Sequence, residues 1–425
     1  MSEIMNGLSA RGHQIRVLTT KPDPALNAAP KAFTYPVIRQ LNGPCRSMRF
    51  ADRLTTHRLT RWLGVALVFL RELQHDIRDT ALIEAQIREF QPELLYLGHI
   101  MPLTRTLMPL LARQELPIVA DEGGKGLIYS WQERGLWQRF QAEFPLNSGF
   151  LRWAKQSFTW VIGKLSHGRV IPKWTFPPNI QAFFNSHLNL QNAIAAGVPL
   201  ARTEVIHSGI DMDLFPFRRD KEFGNPFTIL LPGRIEENKG QLDAVRLASL
   251  LKEMNIPFEL SLVGERWNKA YAAKVEAELQ ALGLGNQARI LPMLPRDELV
   301  QLYHQADITF FPSLYRSGFS RIPLEAMACG SIIVSYGNEG SDEIIRDGEN
   351  GFLTREGDAE AVAEILLRLL REPNLSAQIS SNAREQIENE FSMQAYLSII
   401  EVFLRSAVEN PRPGLAAQPE PRGDK

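Results

Sequence analysis

Cysteine is almost absent from this chain of 425 residues, which holds only Cys45 and Cys329. Two such distant cysteines exclude a disulfide framework, and neither has a second Cys or a His at zinc-site spacing. A reducing compartment, the cytoplasm, is the expected home. Long hydrophobic runs are also lacking: the best candidate, residues 62–70, lies between Arg61 and Arg71 and is half the roughly 18 residues a membrane span needs. The start shows no basic stretch followed by an apolar one, so the chain reads as not exported. Nor is there an excess of charge of one sign, with 47 basic against 48 acidic side chains. With 29 Gly and 27 Pro spread along the length, this excludes a collagen-like, low-complexity or nucleic-acid-coating protein. Two phosphate motifs are missing as well. There is no G-x-x-x-x-G-K-[ST] loop and no G-x-G-x-x-G after a strand, which argues against an ordinary ATPase and an NAD dehydrogenase.

What is present is enough for two or three globular domains. The charge is unevenly divided: residues 1–206 hold 24 basic and 15 acidic side chains, a net of +9, and the remainder nets −10. The basic half suits an anionic surface or acceptor, and mutual attraction of two domains explains the split equally well. From about residue 226, short apolar runs at 227–231, 258–263, 289–291, 307–311 and 332–335 alternate with helical periodicity. In residues 240–254, for example, Ala244, Leu247, Ala248, Leu251 and Met254 share one face. Runs apolar on both faces imply a parallel sheet covered by helices, hence an α/β fold. The first half repeats the pattern less cleanly, with strand candidates at 14–20, 94–97, 117–120, 182–185 and 204–207. The expected domains are residues 1–207, a joint at 208–226, residues 227–390, a helix over 391–409, and a disordered tail over 410–425. The chain opens on a helix over residues 2–11 where a doubly wound sheet begins on a strand and a Gly-rich turn. An opening strand and turn are therefore expected ahead of it.

Residues 230–240, LLPGRIEENKG, read as a strand end, a glycine turn, two cations and a helix start. Ligands of open α/β sheets bind beyond the carboxyl ends of strands, and helix N-termini attract anions. Arg234 and Lys239 add full charges there, the first as a bidentate clamp and the second as a point charge. The alternative is a solvated loop of mixed charge. Residues 313–330, SLYRSGFSRIPLEAMACG, place Gly318 before a helix starting near Ser320 and set Glu325 among Ile322, Leu324, Ala326 and Met327. A carboxylate in such surroundings needs partners, which two ribose hydroxyls would supply; the alternative is an ion pair within the domain.

Together with residues 204–215, EVIHSGIDMDLF, these segments resemble the retaining glycosyltransferases of family 4 (glycosyl transferase group 1), over about residues 3–390. The resemblance implies the GT-B fold, two Rossmann-like domains facing a cleft. It implies transfer of a sugar from a nucleotide-diphosphate sugar to a hydroxyl of a glycan or lipid-linked acceptor, in cell-surface polysaccharide or lipopolysaccharide synthesis. On this resemblance Gly233, Arg234 and Lys239 hold the diphosphate, Glu325 the ribose, and the backbone N–H groups of Gly318, Phe319 and Ser320 the phosphates or sugar hydroxyls. The terminal helix is expected to cross back to the first domain. Three departures stand out. Ser317 occupies a position where the family usually has a glutamate on the donor sugar, which opens a second reading as a catalytically inactive sugar-nucleotide-binding homologue. Where the first domain often carries a histidine, this chain has Asp121-Glu122-Gly123-Gly124, leaving His99, Asp121 and Glu122 as sugar or acceptor candidates. The third departure is the opening strand and its loop. Asp211-Met212-Asp213 spells a metal-binding D-x-D but lacks a third oxygen ligand nearby and matches the family's joint, so no metal or other cofactor is expected.

Residues 46–61 hold five Arg and one Asp, and residues 148–178 interleave Arg152, Lys155, Lys164, Arg169 and Lys173 with Trp153, Trp160 and Trp174 and no acid. This composition fits peripheral binding to an anionic membrane surface, a groove for an anionic acceptor, or an ordinary solvated helix face. No nucleic-acid partner is expected.

Overall fold

The computed structural model describes residues 2–21, 33–42, 58–98, 100, 103, 107–132, 149–167, 169, 175–218, 223–224, 226–316 and 318–411. The chain forms two compact units. The first comprises Met1–Phe184, Leu190–Glu204 and Glu401–Lys425, and the second Asn185–Asn189 and Val205–Ile400.

In chain order the first half contains α1 (Ser2–Ala10), β1 (Val17–Thr20), β2 (Val37–Leu41), α2 (Arg58–Phe90), β3 (Leu95–Gly98), α3 (Leu107–Leu111), β4 (Ile118–Glu122), α4 (Gly126–Gln132), α5 (Gly149–Leu165), β5 (Ile180–Phe184), α6 (His187–Ala195) and β6 (Arg202–Val205). Strands β3-β4-β5-β6 form one sheet in sequence order, and β1 and β2 pair in parallel as a separate sheet. The central strands are apolar because both faces are covered: every residue of β5 is buried. A cavity of about 480 Å³ opens beside residues 14–18, which lead into β1, and residues 94–98, which run into β3. It is lined mainly by apolar side chains such as Leu8, Leu97 and Leu107, at the place where the two sheets part.

The second half contains β7 (Phe227–Pro232), α7 (Gln241–Glu253), β8 (Phe258–Val263), α8 (Lys269–Ala281), β9 (Ala288–Leu291), α9 (Arg296–Gln305), β10 (Ile308–Phe311), α10 (Ile322–Cys329), β11 (Ile332–Ser335), β12 (Phe352–Leu353), α11 (Ala359–Arg371), α12 (Pro373–Glu390) and α13 (Met393–Glu409). Its six strands run in the order β12-β11-β10-β7-β8-β9, every pair parallel. Alternation along β7 explains the layering. Phe227, Ile229 and Leu231 enter one core with α7 and α11, while Leu230 enters the other with α10 and α12. Side chains fix where the helices start: Asn268 accepts from the N–H groups of Ala270 and Tyr271 at α8, and Asp358 from that of Ala361 at α11. The last helix, α13, begins in the second unit and from Glu401 belongs to the first, where Phe403 meets Phe183 edge-on at 5.6 Å.

The strand order reverses between β7 and β10, which were formed first and fourth in the second unit. Adjacent connections leave this point in opposite directions, and in open parallel sheets the carboxyl edge at such a reversal is where ligands bind.

Candidate functional site

Both segments singled out in the sequence sit at that reversal. The first leaves β7 through Gly233, whose φ of 140° is a glycine conformation, and whose N–H donates to Val263 O at 2.9 Å. A short 3-10 turn, Glu237–Lys239, follows and ends at Gly240, with φ 67°. Gly240 is required twice over, since a Cβ there would lie 2.2 Å from the carbonyl oxygen of Pro312 in the loop after β10. The two loops are bonded to each other as well: Leu314 N–H donates to Asn238 O at 2.8 Å, and Ser313 Oγ lies 3.2 Å from the same oxygen.

Each cation already has a carboxylate. The Arg234 guanidinium, half-exposed, pairs with Glu236 at 2.9 Å and lies 4.8 Å over the exposed Trp267 ring. Lys239 is largely buried and its ammonium pairs with Glu339, with the Phe311 ring 5.9 Å away. The two pairs differ in what it takes to open them. An exposed pair is worth about 0–1 kcal/mol, whereas removing one partner of a buried pair costs about 3–5 kcal/mol. An anion arriving here would meet a half-exposed arginine and a buried lysine, each already paired.

On the other loop, Glu325 lies in the first turn of α10, which starts at Ile322. Its carboxylate accepts the hydroxyl of the fully buried Tyr303 at 3.0 Å and has Arg321 3.9 Å away. Burial, with Glu325 adjacent, pushes the Tyr303 hydroxyl far above the usual phenol range, so it stays a donor. The sequence reading offered Glu325 a ribose or an internal cation; the structure adds a buried phenol as its hydrogen-bond partner. Ser317 lies outside the described residues. Two of the backbone donors expected to face phosphate or sugar have protein acceptors instead: Ser320 N–H donates to Glu339 O at 2.9 Å and Gly318 N–H to Asn189 Oδ1 at 3.3 Å. For Ser320 the reason is the turn at 337–340, which brings the Glu339 carbonyl against the start of α10. A Cβ on Gly340 would lie 2.8 Å from the Phe319 ring.

The loop has a further neighbour that the sequence reading left without a role. Phe319 packs 5.1 Å from His207, whose Nε2 is 2.7 Å from Glu343. Burial alone would raise the Glu343 carboxyl, but hydrogen bonds from His207 and from the backbone N–H of His187 outweigh it and bring it below the ordinary value. Only the position of His207 at the end of a strand hinted at this.

The candidates of the first unit separate. Asp121 and Glu122 end β4, and His99 lies outside the described residues. Burial raises the Asp121 carboxyl, which accepts from Tyr96 Oη at 2.8 Å. Glu122 is buried and accepts from three backbone N–H groups, Gly124 at 2.8 Å, Gly126 at 3.1 Å and Leu127 at 2.6 Å. That geometry caps the start of α4 and gives the carboxylate a structural task. Among the described residues no group of three or more His, Cys, Asp or Glu is placed to hold a metal. In the D-x-D sequence, Asp211 accepts from Asp213 N–H at 3.1 Å and caps a 3-10 turn. No helix among the described residues is long and apolar enough to cross a membrane.

With this geometry in place, comparison with known proteins is informative. Residues 216–386 match the family model described as glycosyl transferases group 1. The amylovoran biosynthesis glycosyltransferase AmsK of Erwinia amylovora is 30% identical over 232 residues, covering 52% of this chain and 55% of the relative. The chain thus spans about half the length of the curated relatives it matches. Among solved structures, a glycosyltransferase from Rickettsia africae superimposes with a TM-score of 0.65 at 15% identity, covering 96% of this chain and 94% of the other. Alr3699/HepE of Anabaena, solved in complex with UDP, gives 0.56 at 20% identity, covering 77% and 82%. These comparisons show the GT-B fold for the chain and a glycosyl transferases group 1 segment over residues 216–386, the stretch that holds Arg234, Lys239 and Glu325.

Proposed function

We propose that the chain is a retaining glycosyltransferase of family 4, moving a sugar from a nucleotide-diphosphate sugar to a hydroxyl of a glycan or lipid-linked acceptor in cell-surface polysaccharide synthesis in the cytoplasm. The observation that supports this reading is the junction of the β7 and β10 loops at the strand-order reversal, which puts Arg234, Lys239 and the N-terminus of α10 on the loops of one sheet edge. The names of the similar proteins support it: AmsK acts in amylovoran biosynthesis, and HepE was solved with UDP and with UDP-glucose. Arg234 and Lys239 would neutralise the departing diphosphate, Glu325 would hold the ribose, and no metal or other cofactor enters the proposal.

A thermal-shift panel of UDP, GDP, ADP and their sugars tests the donor site. At a ligand excess of about 100 Kd the stabilisation is about 2.7 kcal/mol. That raises the melting temperature by roughly 5 °C or more for a domain of this size. If none of the nucleotides moves the transition, the donor-site reading is wrong. The second reading, a catalytically inactive sugar-nucleotide-binding homologue, is favoured by one observation: Lys239 is already neutralised by Glu339. Nucleotide binding with neither sugar transfer nor donor hydrolysis would select it.

Peripheral membrane binding belongs to the same proposal. Helix α5 exposes Trp153, Phe158, Trp160, Val161 and Leu165, with Arg152 and Lys164 also exposed. Indole rings beside cations favour an anionic lipid surface. Of the other basic stretch, residues 46–57 lie outside the described residues, as do Lys173, Trp174 and residues 412–425. Vesicles rich in phosphatidylglycerol are expected to carry the protein upward in flotation at low salt. Trp153→Ala with Trp160→Ala is expected to weaken that binding at least tenfold, which even partial burial of the two indoles supplies. Failure of the unaltered protein to float removes the membrane from the proposal.

A further inference from the structure

Glu339 is the residue of the site to which nothing so far gives a task. It is in the left-handed region, with φ 54°, between Gly337 at 76° and Gly340 at 72°. That conformation suits glycine and strains a residue with a side chain, so a glutamate kept there points to a job for its carboxylate. The side chain is buried, and its Oε1 takes both the Lys239 ammonium and the Ser313 hydroxyl, the latter at 2.7 Å. Its own carbonyl takes the Ser320 N–H. One residue therefore holds two of the groups that the donor-site reading assigns to phosphate.

We propose that Glu339 is an internal counter-ion that competes with the donor's diphosphate for Lys239 and so sets how tightly the site holds nucleoside diphosphates. The inference rests on the donor-site reading above. The donor's phosphate oxygens can approach Lys239 only as the Glu339 carboxylate leaves it, and the released carboxylate then faces a second anion in a buried place. Binding is weakened accordingly. When the nucleoside diphosphate is left behind after transfer, the same carboxylate retakes the lysine and favours release of the product. Arg234 differs in that its guanidinium is half-exposed, so solvent screens its pairing with Glu236.

Calorimetric titration with UDP, GDP and ADP of the unaltered protein, Glu339→Gln, Lys239→Ala and the double variant tests this. Gln keeps the shape and the Ser313 contact while removing the charge. Glu339→Gln is expected to lower Kd for the preferred nucleotide at least tenfold, about 1.4 kcal/mol, and the gain is expected to vanish when Lys239 is also Ala. Glu339→Gly, which suits the backbone, guards against loss of fold and is expected to tighten binding as well. Unchanged or weaker binding by both Glu339 variants, with Lys239→Ala still impaired, overturns the counter-ion role; so does a gain that survives the loss of Lys239. If the unaltered protein binds no nucleotide, or Lys239→Ala and Arg234→Ala both bind normally, the donor-site reading itself fails and takes this inference with it.

Discussion

Arg234→Ala and Lys239→Ala are each expected to lower kcat about 100-fold or more, measured as sugar transfer or donor hydrolysis. On the proposed glycosyl-transfer reading the physical cause is the charge that would build on the diphosphate as the glycosidic bond breaks, which a preorganised cation stabilises more in the transition state than in the bound donor. The surroundings of the two cations predict different side effects. Arg234 is half-exposed and, among the described residues, bridged to Glu236, so its loss costs less stability than loss of Lys239. Loss of Lys239 leaves the buried Glu339 carboxylate with the Ser313 hydroxyl but without its cation. That costs about 3–5 kcal/mol, or roughly 10 °C in melting temperature. Adding Glu339→Gln to Lys239→Ala is expected to restore most of the stability and none of the turnover. Stability and catalysis are thereby read separately. Near-normal turnover in both single variants would refute the assignment of the two cations.

The contrast between these residues also shows what was legible in the sequence. The strands of the second unit stand out because burial on both faces makes them continuous apolar runs; residues 258–263 and 332–335 coincide with β8 and β11. Strand β12 has only two residues, too few for any periodicity, and β2 lies beside segments with no clear pattern. The cations were legible because strand end, glycine and helix start fall within eleven residues of chain. Their partners followed two different rules. Glu236 is two residues from Arg234, but Glu339 is 100 residues from Lys239 and lies in a stretch, Gly337-Asn338-Glu339-Gly340, that reads only as a turn. Nothing local marks that glutamate; its positive φ and its burial become visible only when the turn is laid against the β10 loop. Glu122 illustrates the converse. An acid at a strand end before two glycines resembles a ligand contact, yet the glycines bring backbone N–H groups back onto the carboxylate.

Gly264→Ala is expected to damage the donor site as severely as removal of a cation, although no part of Gly264 carries charge. The residue follows β8, beside the exit of β7. A Cβ there would lie 1.9 Å from the carbonyl oxygen of Gly233, 2.6 Å from its carbonyl carbon and 3.2 Å from Arg234 N. All three neighbours are backbone, so no side chain can turn aside. Room for the methyl group requires the Gly233–Arg234 peptide to move by more than about 1 Å, against the ordinary contact distances of packed carbon and oxygen. The segment resists because Gly233 N–H is bonded to Val263 O at 2.9 Å and Ile235 N–H to Glu265 O at 2.8 Å. Part of the strain is therefore retained as lost stability, about 2–3 kcal/mol, and part as displacement of Arg234. A displacement on that scale costs about 100-fold in a reaction that depends on aligned charges. Gly285→Ala is the control: its Cβ meets nothing within 4 Å and its backbone is not left-handed, so melting temperature and turnover should stay near those of the unaltered protein. Because the harm is routed through Arg234, Gly264→Ala should add little further loss of kcat in an Arg234→Ala background. Wild-type nucleotide affinity in Gly264→Ala would mean that the exit of β7 yields without disturbing its arginine, and that the donor is held elsewhere.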